Sequence, residues 1–238
     1  MARVMSEPWT VMPHHPLEKL TENLWRVEGD VPGMGLKRVM SVLKLGDGRL
    51  VIHNAVALEA SAMEEIERFG EVAFVIVPNG FHRIDAPRFA ERYPNAKVLC
   101  PPGAAKSVAK KVRLDGSYDV LPSDPNVHYA PLPGMADLEG HMVVKSESGS
   151  TVIFNDAVFN MPHRGGFEGM VFKHVTQSSG GPKFTRVARF FLLKDKAAFA
   201  GELRRLAQTP ELRRVIVSHH ETITEGPADT LRAVADTL

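Results

Sequence analysis

The chain has 238 residues, 44% hydrophobic and 24% charged, an ordinary composition for one large or two small globular domains. Its 29 Lys and Arg against 28 Asp and Glu leave a formal net charge of +1, so the overall balance calls for neither a nucleic-acid nor an anionic-membrane partner. The single cysteine, Cys100, excludes an intramolecular disulfide framework and a multi-cysteine zinc or iron–sulfur site, and fits a reducing, cytoplasmic setting.

The opening MARVMSEPWTVMPHHP lacks the apolar core of a signal peptide, and no later stretch approaches the roughly 20 apolar residues that cross a bilayer. Residues 1–20, rich in Pro and Met and without a period, read as an N-terminal arm, followed by a single domain over 21–238. Strands are predicted at 24–27, 38–45 and 50–53, the last two joined by Gly46-Asp47-Gly48, a hairpin signal. Ser61 with Glu64 forms a capping box for a helix that places Ala62, Ile66 and Phe69 on one face and stops at Gly70. A buried strand over 73–77 then breaks off at Pro78-Asn79-Gly80 into a polar loop. Asp85-Ala86-Pro87 reads as the cap and first turn of the next helix.

A short strand at 97–100 and a small helix with Ala104, Val108 and Val112 on one face follow, and 113–140 is irregular, with short strands near Val120 and His128. A second hairpin, 141–145 with 151–154 through Ser148-Gly149-Ser150, delivers Asn155-Asp156 at a strand end. Five glycines and several basic residues in 160–186 suit a flap-like insertion. Asp195 caps a helix with Phe199, Leu203 and Leu206 inward, a strand at 215–217 ends in Ser218-His219-His220, and Pro227 opens the last helix.

Polar loops leaving rigid strands are where ligands and catalytic groups concentrate, which singles out Asn79, His82, Asp85, Asp156, His219 and His220. Each has a plainer reading: Asp85 as a helix cap, Asp156 as a turn carboxylate, His82 as a surface imidazole, and His53, at the end of a buried strand, as a satisfied core histidine. Basic residues about the flap, Arg164 and Arg186 among them, suit a carboxylate or phosphate substrate or a merely solvated face. His141, His163 and His174 read as ordinary, and Cys100 as buried and inert.

Three strand-end groups about seventy residues apart, in VIVPNGFHRID, FNDAVF and VSHHE, with Pro133-Gly134-Met135-Ala136 between the first two, resemble the motif order of the metallo-β-lactamase fold. More narrowly, LVIHNAVAL, the Pro-Asn-x-x-His loop and the Pro-Pro-Gly after it resemble a degenerate branch, the DUF4336-type proteins. The resemblance implies an α/β (α+β) fold, a four-layer αββα sandwich. It also implies a metal-dependent hydrolase acting on an ester, thioester, lactone, amide or phosphodiester bond, with a small molecule as partner.

Without gaps, Asn79, Phe81, Arg83 and Ile84 fall where the family has His, His, Asp and His; a one-residue insertion restores His82 and brings Asp85 into a ligand position. Met135 stands in place of the histidine of the Gly-His-Thr turn, so a reduced site is expected in place of the usual binuclear one. On this reading His82, Asp156 and His219 hold one zinc, iron or manganese ion, with His53, Asp85 and His220 as further ligands. Asp156 and His82 are catalytic, and Asn79, Arg164 and Arg186 meet the substrate. The alternative is a metal-free ligand-binding or scaffolding protein that keeps the fold; a homo-oligomer is open under either.

Overall fold

The computed structural model describes residues 8–238. The first seven residues of the expected arm lie outside that range. The chain divides into two compact units, Met1–His128 and Tyr129–Leu238.

The first unit is a six-stranded sheet whose strands lie in sequence order: β1 (Glu18–Thr21), β2 (Leu24–Asp30), β3 (Lys37–Lys44), β4 (Arg49–His53), β5 (Glu71–Ile76) and β6 (Lys97–Leu99). β1 to β4 pair antiparallel, and β4, β5 and β6 run parallel. Parallel neighbours need a crossover, and the helices α1 (Ala60–Phe69) and α2 (Ala86–Arg92) supply it, with α3 (Ala105–Val108) after β6. Ile52, Val75 and Val98 from the sheet meet Met63, Ile66 and Phe89 from the helices in one apolar core. The β3–β4 hairpin turns at Gly48, whose φ of 88° suits glycine.

Three sequence readings change here. The expected arm, residues 1–20, runs into edge strand β1, and Trp9 ahead of it donates its indole N–H to Leu58 O at 2.9 Å. Ser61 does not cap α1: Glu59 holds the cap position with no side-chain bond, because the buried run Ala55–Leu58 starts the helix earlier than the local signal does. Asp85 sits at the cap of α2 without capping it. Its buried carboxylate instead accepts from Arg38 Nη2 and Arg88 Nη1, each at 2.5 Å, and from the Ala57 N–H at 3.0 Å.

The second unit has a four-stranded sheet in the order β12-β9-β8-β7, from β7 (Val127–Pro131), β8 (Gly140–Ser146), β9 (Gly149–Ile153) and β12 (Leu212–Ile216). A separate antiparallel ribbon pairs β10 (Phe159–Met161) with β11 (Gly181–Lys183). Between the ribbon strands lie α4 (Gly166–Met170) and a π turn, Val171–Val175, so the expected flap is a short ribbon carrying a helical excursion. After β11 come α5 (Arg186–Phe191), α6 (Lys196–Leu206) and, beyond β12, α7 (Pro227–Asp236). Asp195 caps α6 as expected, accepting from the Ala198 N–H at 3.0 Å. Phe199, Leu203, Leu231 and Val234 from α6 and α7 pack on Val152, Phe154 and Val215. The strand expected near Val120 is a 3₁₀ turn, Tyr118–Val120.

Candidate metal centre

In the second unit the ends of β9 and β12 lie side by side, since those strands are parallel neighbours with Ile153 opposite Ile216. Each chain leaves its strand into a polar loop, one carrying Asp156 and the other His219. His219 Nε2 and Asp156 Oδ1 stand 3.1 Å apart, with the His219 and Asp156 side chains 6% and 14% exposed. Phe159 stacks on the His219 ring at a centroid distance of 4.5 Å.

Beneath this pair lies a buried polar network that the sequence did not reveal. Glu139, fully buried, accepts the Ala157 N–H at 2.8 Å and the Asn155 N–H at 3.2 Å through Oε1. The Ser218 hydroxyl donates to Asn155 Oδ1, tying the two loops together. Burial first, then the charge of Asp156, raise the Glu139 carboxyl to about 8. Its Oε2 has no hydrogen-bond partner among the described residues. Glu139 lies in the irregular stretch before β8, and the one local signal for it is an ionisable residue flanked by Leu138 and Gly140 at the mouth of a buried strand.

In the first unit, His53 and Asn54 end β4 and His82 lies in the loop after β5. Asn79 is buried, and its side-chain oxygen accepts the N–H groups of Phe81 and His82 at 2.8 and 3.2 Å, shaping the turn that carries His82. Asn54, at φ 59°, donates its amide to Val39 O at 2.8 Å, which points its oxygen at His82 Nδ1, 2.9 Å away. An amide oxygen accepts only, so Nδ1 carries the proton and Nε2 the lone pair in the neutral ring. Asn54 is a second residue the sequence reading passed over, although it stands inside the LVIHNAVAL motif. His53 is buried, and desolvation, helped by the nearby charge of His82, pushes its pKa down to about 3.

Asp85 is committed to Arg38 and Arg88. His220 is buried with φ 64°, its backbone bridged to Asn160 at the base of the ribbon. Arg164 and Arg186 are exposed on the flap segment. His141 is buried with Nε2 3.4 Å from Glu202, and His163 bonds Ser179 at 3.1 Å. Met135 is fully buried in the apolar core of its unit, where a thioether packs well.

The strand topology, with polar groups at the ends of β5, β9 and β12, is that of the metallo-β-lactamase fold. The DIM-1 metallo-β-lactamase exposed to ceftazidime matches with a TM-score of 0.62 at 13% identity, over 96% of this chain and 99% of that one. The metallo-β-lactamase from Erythrobacter litoralis with β-mercaptoethanol in its active site matches with a TM-score of 0.60 at 12% identity, over 93% of this chain and 96% of that one. No family model and no curated protein matches the chain, so the likeness is one of fold. Among the described residues no helix is long and apolar enough to cross a membrane.

Proposed function

We propose that the chain is a metal-dependent hydrolase with a reduced site, in which His82, Asp156 and His219 hold one divalent ion of zinc, iron or manganese. The observation that carries this reading is the 3.1 Å approach of His219 Nε2 to Asp156 Oδ1. Two donors on one tetrahedral ion, with bonds of about 2.0–2.1 Å, stand roughly 3.3 Å apart, so the pair is already spaced as ligands are. The tautomer that Asn54 imposes on His82 adds to it, since a ligating imidazole is ordinarily held through its other nitrogen.

An ion so held supplies a Lewis acid and lowers the pKa of a water it polarises towards about 7. Asp156, partly open to solvent, would orient such a water and serve as its general base, while Glu139 and Asn155 hold the turn that aims the carboxylate. His53, kept neutral by burial, does not compete with His82 for a proton. Arg164 and Arg186 give the flap a preference for a small substrate bearing a carboxylate or phosphate beside its ester, thioester, lactone, amide or phosphodiester bond. Within the fold, the LVIHNAVAL and Pro-Asn-x-x-His segments support a place in the branch resembling DUF4336-type proteins.

The test is a panel of chromogenic esters, thioesters, lactones and phosphodiesters offered to protein stripped by chelation and reloaded with zinc, iron or manganese. Metal-dependent turnover that falls at least about a hundredfold in Asp156→Asn supports the reading, this being the scale of losing a positioned general base. If no metal is retained and no substrate turns over, the metal-free binding or scaffolding reading replaces it.

A further inference from the structure

Nine large hydrophobic side chains are exposed among the described residues, and six of them fall in one short segment: Phe167, Met170, Val175, Val187, Phe190 and Phe191. Phe167 and Phe190 are 79% and 78% exposed. They do not stand on loose ends. α4 and its π turn are anchored by buried Phe172, and α5 by buried Ala188 and the Leu192 that follows it. The Arg186 N–H donates to Thr176 O at 3.1 Å, which joins the two helical pieces. Each piece therefore has an inner apolar face in the core and an outer one in water, a pattern that marks an interaction surface.

The charge of this segment is as uneven as its hydrophobicity. Residues 163–196 hold seven Lys and Arg against two Asp and Glu, a net of +5 in a chain of net +1, so all other residues together carry −4. The near-neutral total that argues against an anionic partner is an average over two opposed regions. Arg164, Lys173, Arg186, Lys194 and Lys196 are exposed among the apolar side chains.

We propose that the 163–196 face docks onto an anionic lipid bilayer. Basic side chains are drawn to the headgroup charge while neighbouring apolar groups enter the acyl boundary, and neither suffices alone. A second copy of the chain fits less well, because a two-fold self-contact sets this face against itself and opposes like charges. A nucleic acid fits less well too: base stacking uses aromatic planes, whereas half of the exposed set is aliphatic and the segment has no Tyr or Trp. Hydrocarbon accepts all six.

The experiment is co-sedimentation of the full chain with phosphatidylcholine vesicles, with and without about 30 mol% phosphatidylglycerol. The expected result is partition at least about tenfold greater onto the anionic vesicles, weakening as salt is raised. Lys173→Glu with Lys194→Glu, and separately Phe167→Ser with Phe190→Ser, each reduce it by about tenfold or more with unchanged circular dichroism. If the double serine variant does not fold, Phe167→Ser alone carries the same expectation. Equal partition onto neutral and anionic vesicles overturns the proposal. So does loss, in the serine variants, of a concentration-dependent dimer or of binding to an oligodeoxythymidylate while vesicle binding is unchanged.

Discussion

Asp85 and Asp156 both lie in polar loops that follow a strand, yet their surroundings give them opposite roles. Asp85 is 1% exposed and closed in by Arg38, itself 3% exposed. Removing one partner of such a pair strands the other charge in the core, so Asp85→Ala should cost about 3–5 kcal/mol in urea unfolding. Asp156 keeps a solvent-facing side and an imidazole at ligand distance. Its substitution by Ala should leave stability within about 1 kcal/mol while abolishing metal retention, measured by equilibrium dialysis against zinc. The sequence placed Asp156 and His219 at strand ends because strand termination is a local signal, while the pairing that makes those ends neighbours is set by the fold. Asp85 was misread because its partner Arg38 lies 47 positions away, and a local cap pattern carries no record of it. Glu139 and Asn54 were missed for the same reason: what makes them matter is which way a side chain faces after folding.

At the scale of elements, the turn between β7 and β8 shows how tightly the fold fixes the approach to the site. Gly134 has φ 80°, and a Cβ there would meet Asp195 O at 2.2 Å. Its carbonyl accepts the Lys194 and Asp195 N–H groups at 2.8 and 3.1 Å, docking the turn on the start of α6. Gly134→Ala combines a left-handed backbone with a backbone clash, so a loss above about 3 kcal/mol is expected by urea unfolding, against about 1 kcal/mol for Asp195→Ala, which removes only a cap. The hairpin at Gly46-Asp47-Gly48, the buried strand β5 and the helices α6 and α7 were all legible, since period and turn chemistry are local. The start of α1 was not, because burial of Ala55–Leu58, set by the tertiary core, overrode a sound capping box. Edge strand β1 was not legible either, as its period is imposed by pairing with β2.

For the whole molecule, buried histidines make stability depend on pH. Burial, aided by His82, pushes His53 down to about 3, and burial pushes His141 down to about 4 against the opposing pull of Glu202. Unfolded, each titrates near 6.5, so below that pH the unfolded chain binds protons that the folded chain does not. Their contribution is full above about pH 6.5 and declines as pH falls towards 4, by about 1.4 kcal/mol per unit for each histidine. Glu139, raised to about 8, acts with the opposite sign: its contribution is full below about 4.5 and declines as pH rises to 8. Between pH 6 and 5, His141→Gln should flatten the stability profile by about 1.4 kcal/mol per unit relative to the parent, read from urea midpoints at each pH.

The central claim is that His82, Asp156 and His219 share one ion, and metal stoichiometry tests it without knowledge of a substrate. Protein purified without a histidine tag or chelator is analysed by inductively coupled plasma mass spectrometry, beside His82→Ala, Asp156→Ala and His219→Ala. The account predicts about one equivalent of zinc, iron or manganese in the parent and its loss from all three variants. A sub-stoichiometric metal content that is the same in the parent and in His219→Ala would contradict it.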